Sequence, residues 1–210
     1  PDYRGAAPIN WAIINGEKST GVTFFKLKHE IDTGSILNSK STPIGEDETA
    51  GEVYARLMHE GASLLVDSLK MIESGSYTLK EQVLSSEPKH APKIFKDDCE
   101  INWNQSAQNV HNFIRGMSPF PCAFTKVRIE EREEVWKISR SKKTDRPSAS
   151  RICFIQDGNQ LFAACDDFWL EILEIQTPGK RRLKTIEFLN GFKGDITNVQ
   201  ILKKPSEEGF

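Results

Sequence analysis

Gln160-Leu161-Phe162-Ala163-Ala164 and, after four residues, Trp169-Leu170-Glu171-Ile172-Leu173-Glu174-Ile175-Gln176 decide the architecture of the back half of this 210-residue chain. Both runs carry apolar or aromatic residues in the alternation of half-buried strands. Residues 123–130, 134–139 and 151–156 have the same character. Turn signals separate the runs, Asp157-Gly158-Asn159 and Pro178-Gly179 among them. Five short strands within about 55 residues predict a small all-β barrel. A short helix over 185–190 and a last strand around 199–202 complete it.

Outward from this region the pattern changes. A helix is expected from a Ser106 N-cap, with Val110, Phe113, Ile114 and Met117 on one face and Ser118-Pro119-Phe120-Pro121 as its stop. Residues 80–97 hold Pro88, Pro92 and several charges without periodicity, which reads as a linker. Thr49-Ala50-Gly51-Glu52 has capping-box spacing at the head of another helix. There Val53, Leu57, Gly61, Leu64, Leu65, Leu69 and Ile72 form one stripe, expected to be core, and Gly75 ends it. Further back, a short helix over 7–16 starts at Pro8 and closes at Gly16. Strands are expected over 21–28 and 35–41. The front half is therefore α/β.

Composition narrows the class. At 38 % hydrophobic and 28 % charged residues the chain is that of a folded protein rather than a disordered one. No apolar run approaches the ~18 residues of a membrane span. Cys99, Cys122, Cys153 and Cys165 form no C-x-x-C pair, and the four histidines do not cluster, so neither a metal site nor a Ser-His-Asp arrangement is indicated. Cysteine usage fits a reducing cytosol. Residues 1–90 carry 9 Lys+Arg against 13 Asp+Glu, and residues 91–210 carry 19 against 17. Two domains with different partners are expected from this shift. The chain begins with Pro rather than Met and reads from mid-loop, so it is expected to be a fragment.

Three features could carry chemistry. Asp32, in a turn after a strand, could serve as a general base or orient a histidine, provided that strand ends an open α/β sheet; Asp-Thr-Gly is also simply a good turn. Arg4-Gly5-Ala6-Ala7 before a helix could approach an anion, or be an ordinary helix entry. Two basic clusters, Lys137, Arg140, Lys142, Lys143, Arg146 and Arg151, then Lys180, Arg181, Arg182 and Lys184, are expected to lie partly on loops. There they could reach phosphates or merely be solvated. Cys99 and Cys165 adjoin acidic residues, which disfavours a thiolate.

Several segments together resemble the methionyl-tRNA formyltransferase family. They are Pro1-x-x-Arg4-Gly5-Ala6-Ala7-Pro8-Ile9, Thr20-Gly21-Val22-Thr23 and Ile31-Asp32-Thr33-Gly34-Ser35-Ile36-Leu37. In the back half they are Lys93-Ile94 with Ile101-Asn102-Trp103, Ile114-Arg115 with Pro119 and Pro121, Leu173-Glu174-Ile175-Gln176 with Pro178-Gly179-Lys180-Arg181, and Phe188-Leu189-x-Gly191. Ile31, Ser35 and Asn102 depart from the usual Leu, Asp and Asp.

The resemblance implies part of a Rossmann-like formyltransferase domain over 1–79, the linker at 80–97, and an OB-like β-barrel domain over 98–210 that binds tRNA. It implies transfer of a formyl group from 10-formyltetrahydrofolate to methionyl initiator tRNA, in a cytoplasmic monomer without metal or membrane attachment. Asp32 would be the catalytic carboxylate, and Pro1 the end of a loop lying against the folate. Lys142, Lys143, Lys180, Arg181 and Arg182 would contact tRNA. The family's catalytic Asn and His would precede Pro1, so residues 1–210 alone are expected to be inactive. The competing expectations are a formyltransferase acting on an amino-sugar nucleotide, a 10-formyltetrahydrofolate hydrolase, and, of another class, a non-catalytic RNA-binding module.

Overall fold

Thr49 starts the longest helix of the chain, and its environment shows how the front half is assembled. The computed structural model describes residues 2–29, 33–83, 87–148 and 152–202. These fall into two units: the described residues of Pro1–Ile13 and Glu17–Lys93, and those of Ile14–Gly16 and Ile94–Phe210. The first unit runs β1 (Arg4–Gly5), α1 (Pro8–Ile14), β2 (Ser19–Phe25), β3 (Ile36–Pro43), α2 (Ala50–Glu73) and β4 (His90–Ala91). Pro8 begins α1 and Gly16, at φ 74°, ends its turn as the sequence leads one to expect. Thr49 accepts the amide of Glu52, and the Glu52 carboxylate accepts the amide of Thr49 at 2.8 Å, which completes the capping box.

Two expectations about this unit need correction. First, β2 and β3 pair antiparallel, from Ser19↔Pro43 to Phe25↔Ile36. The segment containing Asp32 therefore connects a hairpin and does not follow a strand of an open parallel sheet. Among the described residues of this unit, parallel pairing is confined to Arg4↔His90 and Gly5↔Ala91. That pairing also places His90–Ala91, inside the expected linker, in a ladder, with Ala91 fully buried. Second, the stripe on α2 is not all core. Val53, Leu57 and Leu64 are buried together with Ser68, whereas Leu65, Leu69 and Ile72 are about half exposed. The reason is width. A two-stranded ribbon covers one line along the helix, 53–57–64–68, and residues one position further on lie about 100° around it. Ser68 enters the core because its hydroxyl donates to the Leu64 carbonyl at 2.6 Å.

The second unit holds α3 (Ala107–Met117), β5 (Ala123–Ile129), β6 (Arg132–Pro147), β7 (Phe154–Asp157), β8 (Gln160–Ala164), β9 (Phe168–Gln176), β10 (Leu183–Lys184), α4 (Thr185–Gly191) and β11 (Gln200–Ile201). Seven strands form one curled antiparallel sheet in the order β11-β5-β6-β9-β8-β7, with β10 on β9. It is a half-barrel, open between β7 and β11. The inner face closes on Trp136, which has no exposed surface, stacks on Phe154 at 5.8 Å and meets Phe188 edge-on at 5.3 Å. Ser106 caps α3 by accepting the Asn109 amide at 3.2 Å.

Strand β6 is much longer than residues 134–139. Its pairing with β9 shifts register between Ile138 and Arg140 and again between Arg140 and Ser141. One residue is looped out of each strand in turn, Ser139 and then Leu173, so alternation breaks and resumes. Beyond the break the strand is polar on both faces, because buried Ser141 meets His111 Nδ1 of α3 at 3.0 Å. Hydrophobic alternation cannot reveal such a strand.

The capping box carries a measurable share of the first unit's stability. Thr49→Ala is expected to lower its unfolding free energy by about 1 kcal/mol in urea titration, with an unchanged m-value.

Candidate functional site

The first unit contains a groove of about 620 Å³ bordered by Tyr3, Arg4, Thr23, Phe25, Ile36 and Gln82. Its polar wall is a short relay. Arg4 Nη2 donates to Gln82 Oε1 at 2.7 Å, and Gln82 Nε2 donates to the Gly34 carbonyl at 2.6 Å. Arg4 Nε is buried and has no hydrogen-bond partner. Gly34 is confined from the other side as well: a Cβ there would lie 1.6 Å from the Lys26 carbonyl oxygen. Lys26 N donates to Ser35 O at 2.8 Å, and Ile36 exchanges both backbone hydrogen bonds with Lys80. The chain on the C-terminal side of the Asp32 segment is thus pinned on two sides by polar contacts. Asp32 and Pro1 themselves lie outside the described residues. Arg4, considered at sequence level only as an anion contact or a helix entry, instead ties residue 82 to the groove. Gln82 carried no sequence signal, because it sits in a polar stretch with no periodicity.

The cations of the second unit separate into groups. Lys137, Arg140, Lys142, Lys143 and Arg146 all lie on β6, not on loops, and Arg151 lies outside the described residues. Lys180, Arg181 and Arg182 occupy the turn between β9 and β10, as the Pro178-Gly179 signal led one to expect. Past the bulge, Ser141 and Lys143 face α3, and Lys143 Nζ donates to Gln108 Oε1 at 2.7 Å. Lys142 faces the opposite way. Arg140 and Arg182 approach the same carboxylate, Glu174, at 3.9 and 3.8 Å. Arg140 therefore joins Lys142 and Arg182 on one outer face, a role that the alternation before the bulge did not disclose. Arg181 reaches Glu187 at 3.2 Å. Arg146 lies 5.8 Å from the Phe162 and Trp169 ring centroids, a stacking site rather than a free phosphate contact.

Other chemistries find little to use. Burial pushes the Cys165 thiol up to about 12, with Asp167 and Asp166 adding to the effect, so it is not a nucleophile near neutrality. Burial likewise raises the Cys99 and Cys122 thiols. His111 is buried against Ser141. Among the described residues, no group of three or more His, Cys, Asp and Glu side chains could hold a metal ion. No described helix is long and apolar enough to cross a membrane.

With this geometry in hand, comparison with known proteins is direct. Residues 1–69 match the formyl transferase domain model, and residues 93–193 match the formyl transferase C-terminal domain model. The chain is similar to the methionyl-tRNA formyltransferase of Bacteroides fragilis, 43 % identical over 91 % of this chain and 61 % of that protein. It is 44 % identical to the enzyme of that name from Porphyromonas gingivalis, over 91 % of this chain and 62 % of the relative. For that of Chlorobium luteolum the identity is 38 %, over 96 % and 64 %. The chain thus spans rather less than two thirds of the length of these relatives. Among solved structures, its fold is similar to an N-formyltransferase from Helicobacter canadensis, with TM-score 0.65 and 22 % identity, over 84 % of this chain and 62 % of that one. It is also similar to HypX from Aquifex aeolicus, solved with tetrahydrofolic acid, with TM-score 0.64 and 20 % identity, over 93 % and 35 %.

Gln82 lies between the two matched stretches, so its role rests on the geometry alone. Gln82→Ala removes both bonds of the relay and leaves the Gly34 carbonyl without this donor. A loss of about 1–2 kcal/mol in urea unfolding is expected, against a few tenths for an alanine at an exposed position such as Glu81.

Proposed function

The chain belongs to the formyl transferase family, and on that premise we propose that the intact protein transfers a formyl group from 10-formyltetrahydrofolate to the α-amine of methionyl initiator tRNA. The observation that carries this reading is the similarity of 38–44 % across more than nine tenths of the chain to proteins of that name. Solved structures resembling the chain at lower identity support the fold and do not choose the acceptor.

In this reaction the amine lone pair attacks the formyl carbon. A C–N bond forms, the bond from that carbon to the folate nitrogen breaks, the amine gives up a proton, and the leaving folate nitrogen takes one up to become N–H. Asp32 is assigned as the carboxylate that takes this proton, directly or through water. The relay through Gln82 and the crowding at Gly34 support that assignment, because an acid–base group works only when its backbone is held in place. Pro1 is placed against the folate. Residues 1–79 then serve the donor and the chemistry, residues 80–97 connect, and residues 98–210 hold the tRNA. A cytosolic location accords with that substrate.

For tRNA contact the cations rank by what already engages them. Lys142 and Lys180 have no ion-pair partner among the described residues. Lys143, Arg181 and Arg182 would each give up a contact to Gln108, Glu187 or Glu174. Arg140 is added to the set on the strength of its position beside Arg182.

Two outcomes are expected. Asp32→Asn should lower the formylation rate by ~10²–10⁴-fold while tRNA binding is retained; a wild-type rate would remove Asp32 from the chemistry. Replacing Lys142 or Lys180 with Ala should flatten the slope of log affinity against log salt by about one unit; an unchanged slope would return the residue to the solvated surface.

A further inference from the structure

The second unit has a groove of about 530 Å³ that the outer face of β6 does not include. Its floor is aromatic. Phe192, half-buried directly after α4, lies 5.4 Å from Phe188 and 5.9 Å from Trp136, ring centroid to ring centroid. Phe188 and Trp136 are buried, so Phe192 is the ring of this cluster that reaches the groove with surface to spare. Such a floor would normally be walled by apolar side chains. Here Ile129 and Leu183 share the walls with three exposed cations, Arg132, Lys180 and Lys193.

Three carboxylates, Glu130, Glu134 and Glu187, line the groove with these cations, and the two sets differ in how they are engaged. Among the described residues, none of these three cations has an ion-pair partner. Of the carboxylates beside them, Glu187 accepts the Lys184 amide at 3.0 Å and pairs with Arg181, and both contacts hold its carboxyl below the usual range. Glu134 accepts the Trp136 indole N–H at 2.9 Å. Glu130 lies in a left-handed turn at φ 55° at the groove.

A partly exposed aromatic ring with three cations beside it that lack ion-pair partners among the described residues matches an unstacked nucleotide. The base stacks on the ring, and the flanking phosphates reach the ammonium and guanidinium groups. A base-paired helix has no free base face to offer. We propose that this groove receives one unstacked base of the bound RNA on Phe192, with its flanking phosphates on Arg132, Lys180 and Lys193. The proposal rests on the tRNA reading above. It adds a contact made by base stacking, distinct from the charges on the outer face of β6.

The test uses the intact protein and tRNA, with binding measured across a salt series. Phe192→Leu is expected to weaken binding about tenfold without changing the salt slope, since no charge is lost. Phe192→Tyr keeps a flat ring and should restore the affinity. Lys193→Ala should weaken binding and flatten the slope by about one unit. A short oligoadenylate should bind in a Phe192-dependent way, while a blunt RNA duplex of the same length should not compete with it. If Phe192→Leu unfolds, oligoadenylate binding by the wild-type protein, weakened by Lys193→Ala and not competed by the duplex, decides the matter. If wild-type protein binds no tRNA, the tRNA reading itself fails, and this proposal with it. If Lys142→Ala weakens tRNA binding while Phe192→Leu, Lys193→Ala and the oligoadenylate show no effect, the groove proposal alone is overturned.

Discussion

The ladder between β6 and β9 is the constraint on which the second unit depends. From Lys137↔Gln176 to Lys143↔Leu170 it absorbs two successive bulges without losing its faces, before a third irregularity leads to Pro147↔Phe168. Ile138, Ile172 and Ile175 stay inside, fully or almost fully buried, while Arg140, Lys142 and Glu174 stay outside. The bulge on β6 turns Ser141 inward after Ile138, and the matching bulge on β9 turns Ile172 inward after Ile175, so an apolar core and a cationic surface are built by the same two strands. The Pro178-Gly179 turn then returns the chain to β10, which brings Arg182 within reach of Glu174 beside Arg140.

The first unit uses a different device around the same kind of need. A hairpin connection of ten residues is ordinarily mobile. Here the chain at Gly34 is crowded by Lys26 and bonded by Gln82, and Ile36 is bridged to Lys80. Residues distant in sequence, Arg4 and 80–82, thus restrain the return leg of the segment that carries Asp32.

How much of this was legible in the sequence depends on the physical signal each part leaves. The capping box at Thr49, the end of α1 at Gly16 and the Ser106 cap were readable, because capping is local and uses a small set of side chains. Strands β5, β8 and β9 were readable by their apolar content, although β8 buries Leu161 to Ala164 on both faces rather than alternating. The far half of β6 was not, since Ser141 is its inward residue there and the bulge breaks the period. The stripe on α2 was overread: periodicity shows that a helix has an apolar side, and the width of what packs on it decides how much of that side is buried. Within residues 80–97, a two-residue strand and a glutamine relay leave no sequence pattern, so neither was legible. Motif order supplied what periodicity could not, the family, and on it rests the proposed role of Asp32.

The central claim is that the formyl acceptor is an aminoacyl-tRNA, which is why the cations of the second unit are displayed as they are. The most direct measurement offers the intact protein methionyl initiator tRNA and an amino-sugar nucleotide together, with 10-formyltetrahydrofolate carrying a labelled formyl group. The account predicts label on the methionyl-tRNA, with formation of labelled product suppressed as salt screens the cationic face. Label on the sugar, or release of labelled formate with neither acceptor modified, would contradict it.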